Sequence, residues 1–337
     1  MGMIRAAGLG YEYLRYEEEG QEPEVTKAIE DVSLEIQKGQ FIAVLGHNGS
    51  GKSTLGRVIC GLLKPDSGEY LLEGKNVYAS REGKKNLQNE LSVVFQDYTT
   101  SANPRFRIRD VLMEGIRVKE RKTGKIKDPA AECRRLLELV GLDETFLDRF
   151  PHELSGGMCQ RVIIAMAVCG HPKLIIADEP TTALDVTVQA QVLELLKDLQ
   201  KKLNTAILLI THNLGVVWEM CDTVMVMYAG NTVEYADTKT LYQEPLHPYT
   251  WGLLDSMPKL SSSAKEDLKT IPGTPPDLRL TGYCCNFYNR CPYATEICRQ
   301  QVPPLKEVAP GHFVACHRQD GEHRLTRGEV NVTCKKM

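Results

Sequence analysis

No stretch of this sequence approaches the roughly 20 consecutive apolar residues that a helix needs to cross a hydrocarbon core. The best runs, such as 162–168, stop well short, so a chain that spans a bilayer by helices is not expected. A strong charge of one sign is missing too: the net charge is −3, and lysines and arginines are dispersed among acidic residues. Without a basic stripe, nucleic acid is not expected as a partner. The opening Met1-Gly2-Met3-Ile4-Arg5 lacks the apolar stretch of a secretory signal, and Ala6 stands where a myristoylation site requires Ser or Thr, so a cytosolic, unlipidated chain is expected. The biases of disordered and fibrous chains are absent as well, since 42% hydrophobic and 25% charged residues are the proportions of an ordinary globule.

The 337 residues exceed one typical domain and suggest a large α/β domain with an appendage. Apolar, β-branched runs at 32–36, 41–45, 92–95, 174–177, 206–210 and 224–228 read as strands. Apolar residues recur at three- and four-residue intervals in 128–140 and 186–203, the pattern of amphipathic helices laid on a sheet. Strands alternating with helices imply a mainly parallel sheet covered on both faces. Between Gln96 and Pro172 the pattern is helical without clear strands, which suggests an inserted helical subdomain. After Pro245 the texture becomes rich in proline and loops. The expected division is a domain of 1–244, with its helical subdomain at 97–170, and an extension of 245–337. The acidic stretch from Glu17 to Glu24 reads as a solvated hairpin tip.

Cysteine is plentiful, with eleven in the chain. Cys60, Cys133, Cys159, Cys169 and Cys221 are scattered, whereas Cys284, Cys285, Cys291, Cys298, Cys316 and Cys334 crowd the end. Without an export signal, reduced thiols or a metal site are expected rather than disulfides. Cys285, Cys291, Cys298 and Cys316 are candidate soft ligands for a [4Fe–4S] cluster or a structural zinc, with free cysteines in a small core as the alternative. Zinc ribbons usually pair cysteines two apart, and the gaps here are longer; Pro292 follows Cys291 directly, as is common beside iron–sulfur ligands. Cys284 could replace Cys285.

The strongest chemical signal is Gly46-His47-Asn48-Gly49-Ser50-Gly51-Lys52-Ser53, which fits the phosphate-binding loop and follows the apolar run 41–45. Its glycines let the backbone turn N–H groups toward phosphates, and the helix that follows, through Thr54, adds its positive end. Lys52 is expected on the β- and γ-phosphates and Ser53 on Mg²⁺. Leu174-Ile175-Ile176-Ala177-Asp178-Glu179 places two acids at the end of a buried strand. Unpaired buried charge is costly, so a cation or a proton-transfer role is expected there: Asp178 on Mg²⁺ through water, Glu179 polarising the attacking water.

Many ATPases and GTPases share those two motifs. A guanine-reading Asn-Lys-x-Asp motif is missing, and Leu154-Ser155-Gly156-Gly157-Met158-Cys159-Gln160-Arg161 narrows the class. This stretch resembles the signature of ATP-binding cassette (ABC) ATPases, in which Ser155, Gly156 and Gly157 would bind the γ-phosphate of ATP held by a second subunit. The same resemblance implies that Gln96 touches Mg²⁺ and the lytic water, that Thr182-Ala183-Leu184-Asp185 crosses a dimer interface, and that His212 is the switch histidine. Met158 and Asn213 depart from the commonest forms of these motifs. An aromatic residue before the core stacks on adenine in this family, and Tyr11 or Tyr13 would fill that role. The implied fold is α/β: a phosphate-loop ABC core with a mainly parallel sheet, an antiparallel β subdomain, a helical signature subdomain and a loop-rich extension.

Within ABC ATPases the closest resemblance is to the oligopeptide, dipeptide and nickel importer branch, over residues 25–320. It is carried by Phe95-Gln96-Asp97 with Asn103-Pro104-Arg105, by the run from Thr181 to Gln191, by Pro245-Leu246-His247-Pro248-Tyr249-Thr250, and by Ile271-Pro272-Gly273-Thr274-Pro275-Pro276. The segment from Cys285 to Pro292 also belongs to it, and some members of that branch hold a cluster at these cysteine positions. The first fifty residues resemble vitamin-importer ATPases. The implied protein is an MgATP-hydrolysing motor for importing oligopeptides or dipeptides, with nickel or another small solute as the alternative. Its implied partners are a homologous second ATPase in a heterodimer, two transmembrane permease subunits and, indirectly, an extracytoplasmic solute-binding protein. The implied location is peripheral, on the cytoplasmic face of the cell membrane. A soluble ABC protein acting without membrane partners is the rival, but its usual second cassette, coiled coil or basic extension is missing here.

Overall fold

The computed structural model describes residues 2–16, 23–97, 101–182, 184–257, 270–319 and 324–327. Strand β3 (Phe41–Leu45) shows how the apolar runs are used: all five side chains are buried, on alternate faces. Phe41, Ala43 and Leu45 join one apolar core, while Ile42 and Val44 join another. A side-chain period of two on a strand with no solvent face forces this sharing, and it is why the run lacks polar alternation. β6 (Leu91–Val94), β7 (Leu174–Asp178), β8 (Ala206–Thr211) and β9 (Thr223–Tyr228) complete the parallel set. They pair in the order β9-β3-β8-β7-β6.

An antiparallel sheet of β1 (Ile4–Arg15), β2 (Glu24–Ile36), β4 (Ser67–Leu72) and β5 (Lys75–Asn76), ordered β2-β1-β4-β5, covers one face. Helix α1 (Lys52–Ile59) and Leu87 of α2 (Arg81–Glu90) fill the core beneath it. β1 and β2 form a hairpin whose last pair is Arg15 with Glu24. The expected acidic tip at 17–22 lies outside the described residues, as do Ala183 of the interface loop and Cys334.

The helical subdomain consists of α3 (Ile108–Thr123), α4 (Pro129–Leu139) and α5 (Gly156–Val168). Helix α4 starts where sequence chemistry requires: the Asp128 side chain accepts from Ala131 N, and Pro129 occupies the first turn, where its missing N–H costs nothing. Gly115 lets α3 approach α5 closely, since a Cβ there would lie 2.8 Å from the Met166 carbonyl oxygen. Helix α6 (Val186–Leu203) covers the sheet beside them, and α7 (Leu214–Met220) follows β8. No helix among the described residues is long and apolar enough to cross a membrane.

Beyond β9 the structure holds more sheet than the loop-rich texture suggests. β10 (Asn231–Asp237) pairs antiparallel with β9; then β12 (His312–Val314) adds to β10, and β11 (Lys306–Ala309) to β12, closing an eight-stranded mixed sheet. These late strands are short and flanked by prolines and turns, so they carry little periodic signal of their own. Helices α8 (Thr238–Gln243), α9 (Pro248–Asp255) and the short α10 (Glu296–Gln300) follow β10 among the described residues.

Candidate active site

Register brings the chemistry to one edge. Leu45 of β3 aligns with Thr211 of β8, and Asp178 of β7 aligns with Ile210, so three strands end side by side. Gly46, Glu179 and His212, the next residues of each, therefore leave the sheet at its carboxyl edge, where open α/β sheets bind ligands.

The phosphate loop turns on glycine. Gly49 and Gly51 have φ of 79° and 99°, values that L side chains adopt only at a cost. Gly46 meets a spatial limit instead, because a Cβ there would sit 2.4 Å from the Met227 carbonyl oxygen. Lys52, 5% exposed, donates from Nζ to the carbonyls of Gly46 (2.9 Å) and His47 (2.8 Å). Burial pulls its pKa below the usual lysine range, with Glu179 and Asp178 opposing. Ser53 Oγ donates to Asp178 Oδ1 at 3.2 Å. Burial raises the Asp178 carboxyl above its ordinary range, against that hydrogen bond. Ser50 is fully buried within the loop, whereas Asn48 and Gly49 are exposed.

Glu179 is the hub. Its φ of 46° places a non-glycine residue in the left-handed region, a costly conformation that persists where surrounding contacts hold it. Its N–H donates to the Ile210 carbonyl at 2.9 Å, which ties β7 to β8 at that turn. Its carboxylate takes His212 Nδ1 at 3.0 Å, Thr182 Oγ1 at 2.9 Å and Gln96 Nε2 at 3.3 Å. Burial alone would raise its pKa; hydrogen bonds from His212 and Thr182 outweigh it, so the net shift is downward and Glu179 stays ionised. Gln96, from just after β6, and His212 thus reach the same carboxylate. Thr182 was not expected on Glu179; its position three residues later, just beyond Pro180, was the available signal.

Tyr11 and Tyr13 stack edge to face, their centroids 5.0 Å apart. Tyr11 is half-buried against the antiparallel sheet's core, and burial raises its hydroxyl's pKa. Tyr13 is exposed, with its hydroxyl 3.4 Å from Thr54 Oγ1, beside the phosphate loop. Ser155, Gly156 and Gly157 stand apart from this group. Ser155 is the exposed N-cap of α5, accepting from Met158 N at 3.3 Å, and a Cβ on Gly157 would lie 2.3 Å from Val188 Cγ1 of α6. No hydrogen bond described among these residues runs from the signature segment to the phosphate loop of its own chain.

The C-terminal cysteines gather in one part of the extension. Cys285 N donates to the Cys298 carbonyl at 2.9 Å. Burial pushes the Cys285 and Cys291 thiols up to about 12, and the Cys316 thiol up to about 11, with the neighbouring thiols of the group raising each further. Cys284 is also raised by burial. Among the described residues no group of three His, Cys, Asp or Glu side chains is arranged to hold a metal ion. Cys285, Cys291 and Cys316 are partly buried thiols that lie near one another and near the buried Cys298.

Residues 29–182 match the ABC transporter family, and residues 233–298 match the oligopeptide/dipeptide transporter C-terminal region. The chain is 47% identical over 301 residues to the oligopeptide transport ATP-binding protein OppD of Bacillus subtilis (strain 168), covering 86% of this chain and 82% of that one. Among solved structures it resembles cbiO1 from Clostridium perfringens, part of the ABC transporter complex cbiONQ, with a TM-score of 0.60, 30% identity, and coverage of 72% of this chain and 90% of that one. It also resembles a dimeric, post-hydrolysis ATP-binding cassette, MJ0796, bound to ADP and Pi, with a TM-score of 0.61, 25% identity, and coverage of 70% and 99%. The fold and site define a phosphate-loop ATPase of the cassette class. The chain belongs to the ABC transporter family, as an ATP-hydrolysing subunit of the kind found in oligopeptide and dipeptide transport systems.

Proposed function

We propose that this chain is the MgATP-driven motor of a peptide importer, working from the cytoplasmic face of the membrane as one of two homologous, non-identical ATPases beneath two permease subunits fed by an extracytoplasmic solute-binding protein. The observation that carries the chemistry is the convergence of Lys52, Ser53, Asp178, Glu179, Gln96 and His212 at one sheet edge. The substrate class rests on the oligopeptide/dipeptide C-terminal region and on the curated relative.

In this reading residues 46–54 wrap the phosphates, and Lys52 leaves its loop carbonyls for the β- and γ-phosphates. The paired oxygens of Ser53 and Asp178, 3.2 Å apart, suit a hard cation; they would hold Mg²⁺, which would supply neutralisation of charge on the phosphates. Glu179, ionised and held from three sides, orients and polarises the attacking water; His212 and Gln96 set its carboxylate. Tyr13 takes the adenine role, being the exposed member of the pair beside Thr54. Ser155, Gly156 and Gly157 serve the other subunit's nucleotide, which accords with the exposure of Ser155 at the start of α5 and with the dimeric cassette this fold resembles. The motor reading is tested by purifying the tagged chain from detergent-solubilised membranes: permeases and a second ATPase should accompany it, and a chain recovered alone would overturn it.

We also propose that Cys285, Cys291, Cys298 and Cys316 take a [4Fe–4S] cluster, or zinc, after small side-chain rotations. The support is their mutual electrostatic influence, four soft thiols in one partly buried patch.

A further inference from the structure

The phosphate loop is held from outside as well as from within. His47 N–H donates to the hydroxyl of Tyr249 at 3.0 Å, across 202 positions of sequence. The His47 imidazole lies against Tyr228 and Tyr249, with centroids at 5.1 and 6.0 Å, and both of its ring nitrogens are buried without a hydrogen-bond partner. Phe287, in the cysteine-rich segment, closes this aromatic cluster at 5.1 Å from Tyr228 and 5.6 Å from Tyr249. Tyr249 is fully buried and is itself held by a chain of contacts. Its N–H donates to His247 Nδ1 at 3.0 Å, at the start of α9. The N–H groups of Leu246 and His247 donate to the buried carboxylate of Glu234 at 2.7 and 3.0 Å, and Glu234 pairs with His312 Nε2 of β12 at 2.8 Å.

We propose that Tyr249 is a positioning residue for ATP: it fixes the first turn of the phosphate loop through the His47 amide, and so links the C-terminal extension to nucleotide affinity. This rests on residues 46–53 being the phosphate loop. A hydroxyl set by the rigid start of α9 costs the loop no ordering entropy when ATP arrives, and pre-ordered loops bind more tightly.

Tyr249→Phe keeps the ring and deletes the bond. In the full chain, equilibrium ATP affinity should fall about 2–12-fold, the worth of one neutral hydrogen bond. In the assembled complex, KM for ATP should rise in step with kcat within twofold. Hydrogen exchange at the His47 amide should accelerate in the nucleotide-free variant, which packing loss elsewhere would not produce. Unchanged ATP affinity with slow His47 exchange would overturn the proposal, as would a kcat loss without a KM change. Lys52→Ala separates this from the underlying reading: if it binds ATP normally, the loop assignment fails, whereas if it loses ATP while Tyr249→Phe binds like wild type, only the positioning role fails.

Discussion

Replacing Glu179 with Gln tests the centre of the mechanism. The substitution keeps the side chain's size and leaves one carbonyl oxygen to accept from Thr182 or His212, at positions now 2.9 and 3.0 Å from the carboxylate. It removes the charge, and with it the ability to take a proton from water. A positioned general base contributes roughly 10²–10⁴-fold, so turnover should fall by that factor, or about 2.7–5.4 kcal/mol of barrier. ATP binding should persist, because Lys52, Ser53 and Asp178 remain, and the variant complex should accumulate with ATP bound. The depressed pKa of Glu179 adds a second reading. A carboxyl held below its unfolded value stays ionised through neutral pH, and the stability it lends is present above pH of about 4.3 and lost as pH falls through the folded pKa. Stability of Glu179→Gln should therefore be less acid-sensitive than wild type in that low window, and the acid limb of wild-type ATPase activity above pH 5 should not come from Glu179. The measurement is steady-state phosphate release by the assembled complex beside equilibrium binding of a labelled nucleotide. Near-normal turnover with intact assembly would refute the assignment of the base.

Ser155→Arg should abolish hydrolysis in the dimer while the isolated chain binds ATP as wild type does; affinity reduced as far as in Lys52→Ala would place the signature in its own chain's site instead. His247 is 1% exposed, and burial drives its imidazole down to about 4, against a raising contribution from Glu234. A lowered histidine pKa means the unfolded chain binds the proton first, so this stabilisation is full above pH of about 6.5 and is lost, by about 3 kcal/mol, on acidification toward 4. His247→Asn, which keeps an acceptor for the Tyr249 N–H, should flatten the pH dependence of unfolding free energy across that window, and an unchanged slope would count against the buried neutral histidine. Anaerobic purification followed by iron, sulfide and zinc analysis should find metal that Cys291→Ser loses; no metal, with Cys285, Cys291, Cys298 and Cys316 alkylated freely in the native chain, would dismiss both metal versions.

Contiguous chemistry was legible in the chain. Residues 41–53 and 174–179 each hold, in one short run, the strand, the turn and the charged groups that the proposed phosphate and Mg²⁺ roles require, because a loop that wraps phosphate must be made of neighbours. The buried strands were equally plain, since a run apolar on both faces has few other uses. An antiparallel subdomain was expected from the resemblance, but the span of β1, the strands β10 to β12 and the downward balance of Glu179's pKa were not legible, because they depend on partners far along the chain. Gln96, Glu179 and His212 are separated by 83 and 33 positions in their respective hydrogen bonds, and nothing local in any of them announces the others. Only the parallel register of β6 with β7 and of β7 with β8 puts them on one carboxylate. The tie between His47 and Tyr249 lies further still from local pattern: a tyrosine in a proline-flanked helix start becomes a wall of the phosphate loop because β10 and β12 anchor that helix through Glu234 and His312, a decision made by long-range packing and buried hydrogen bonds.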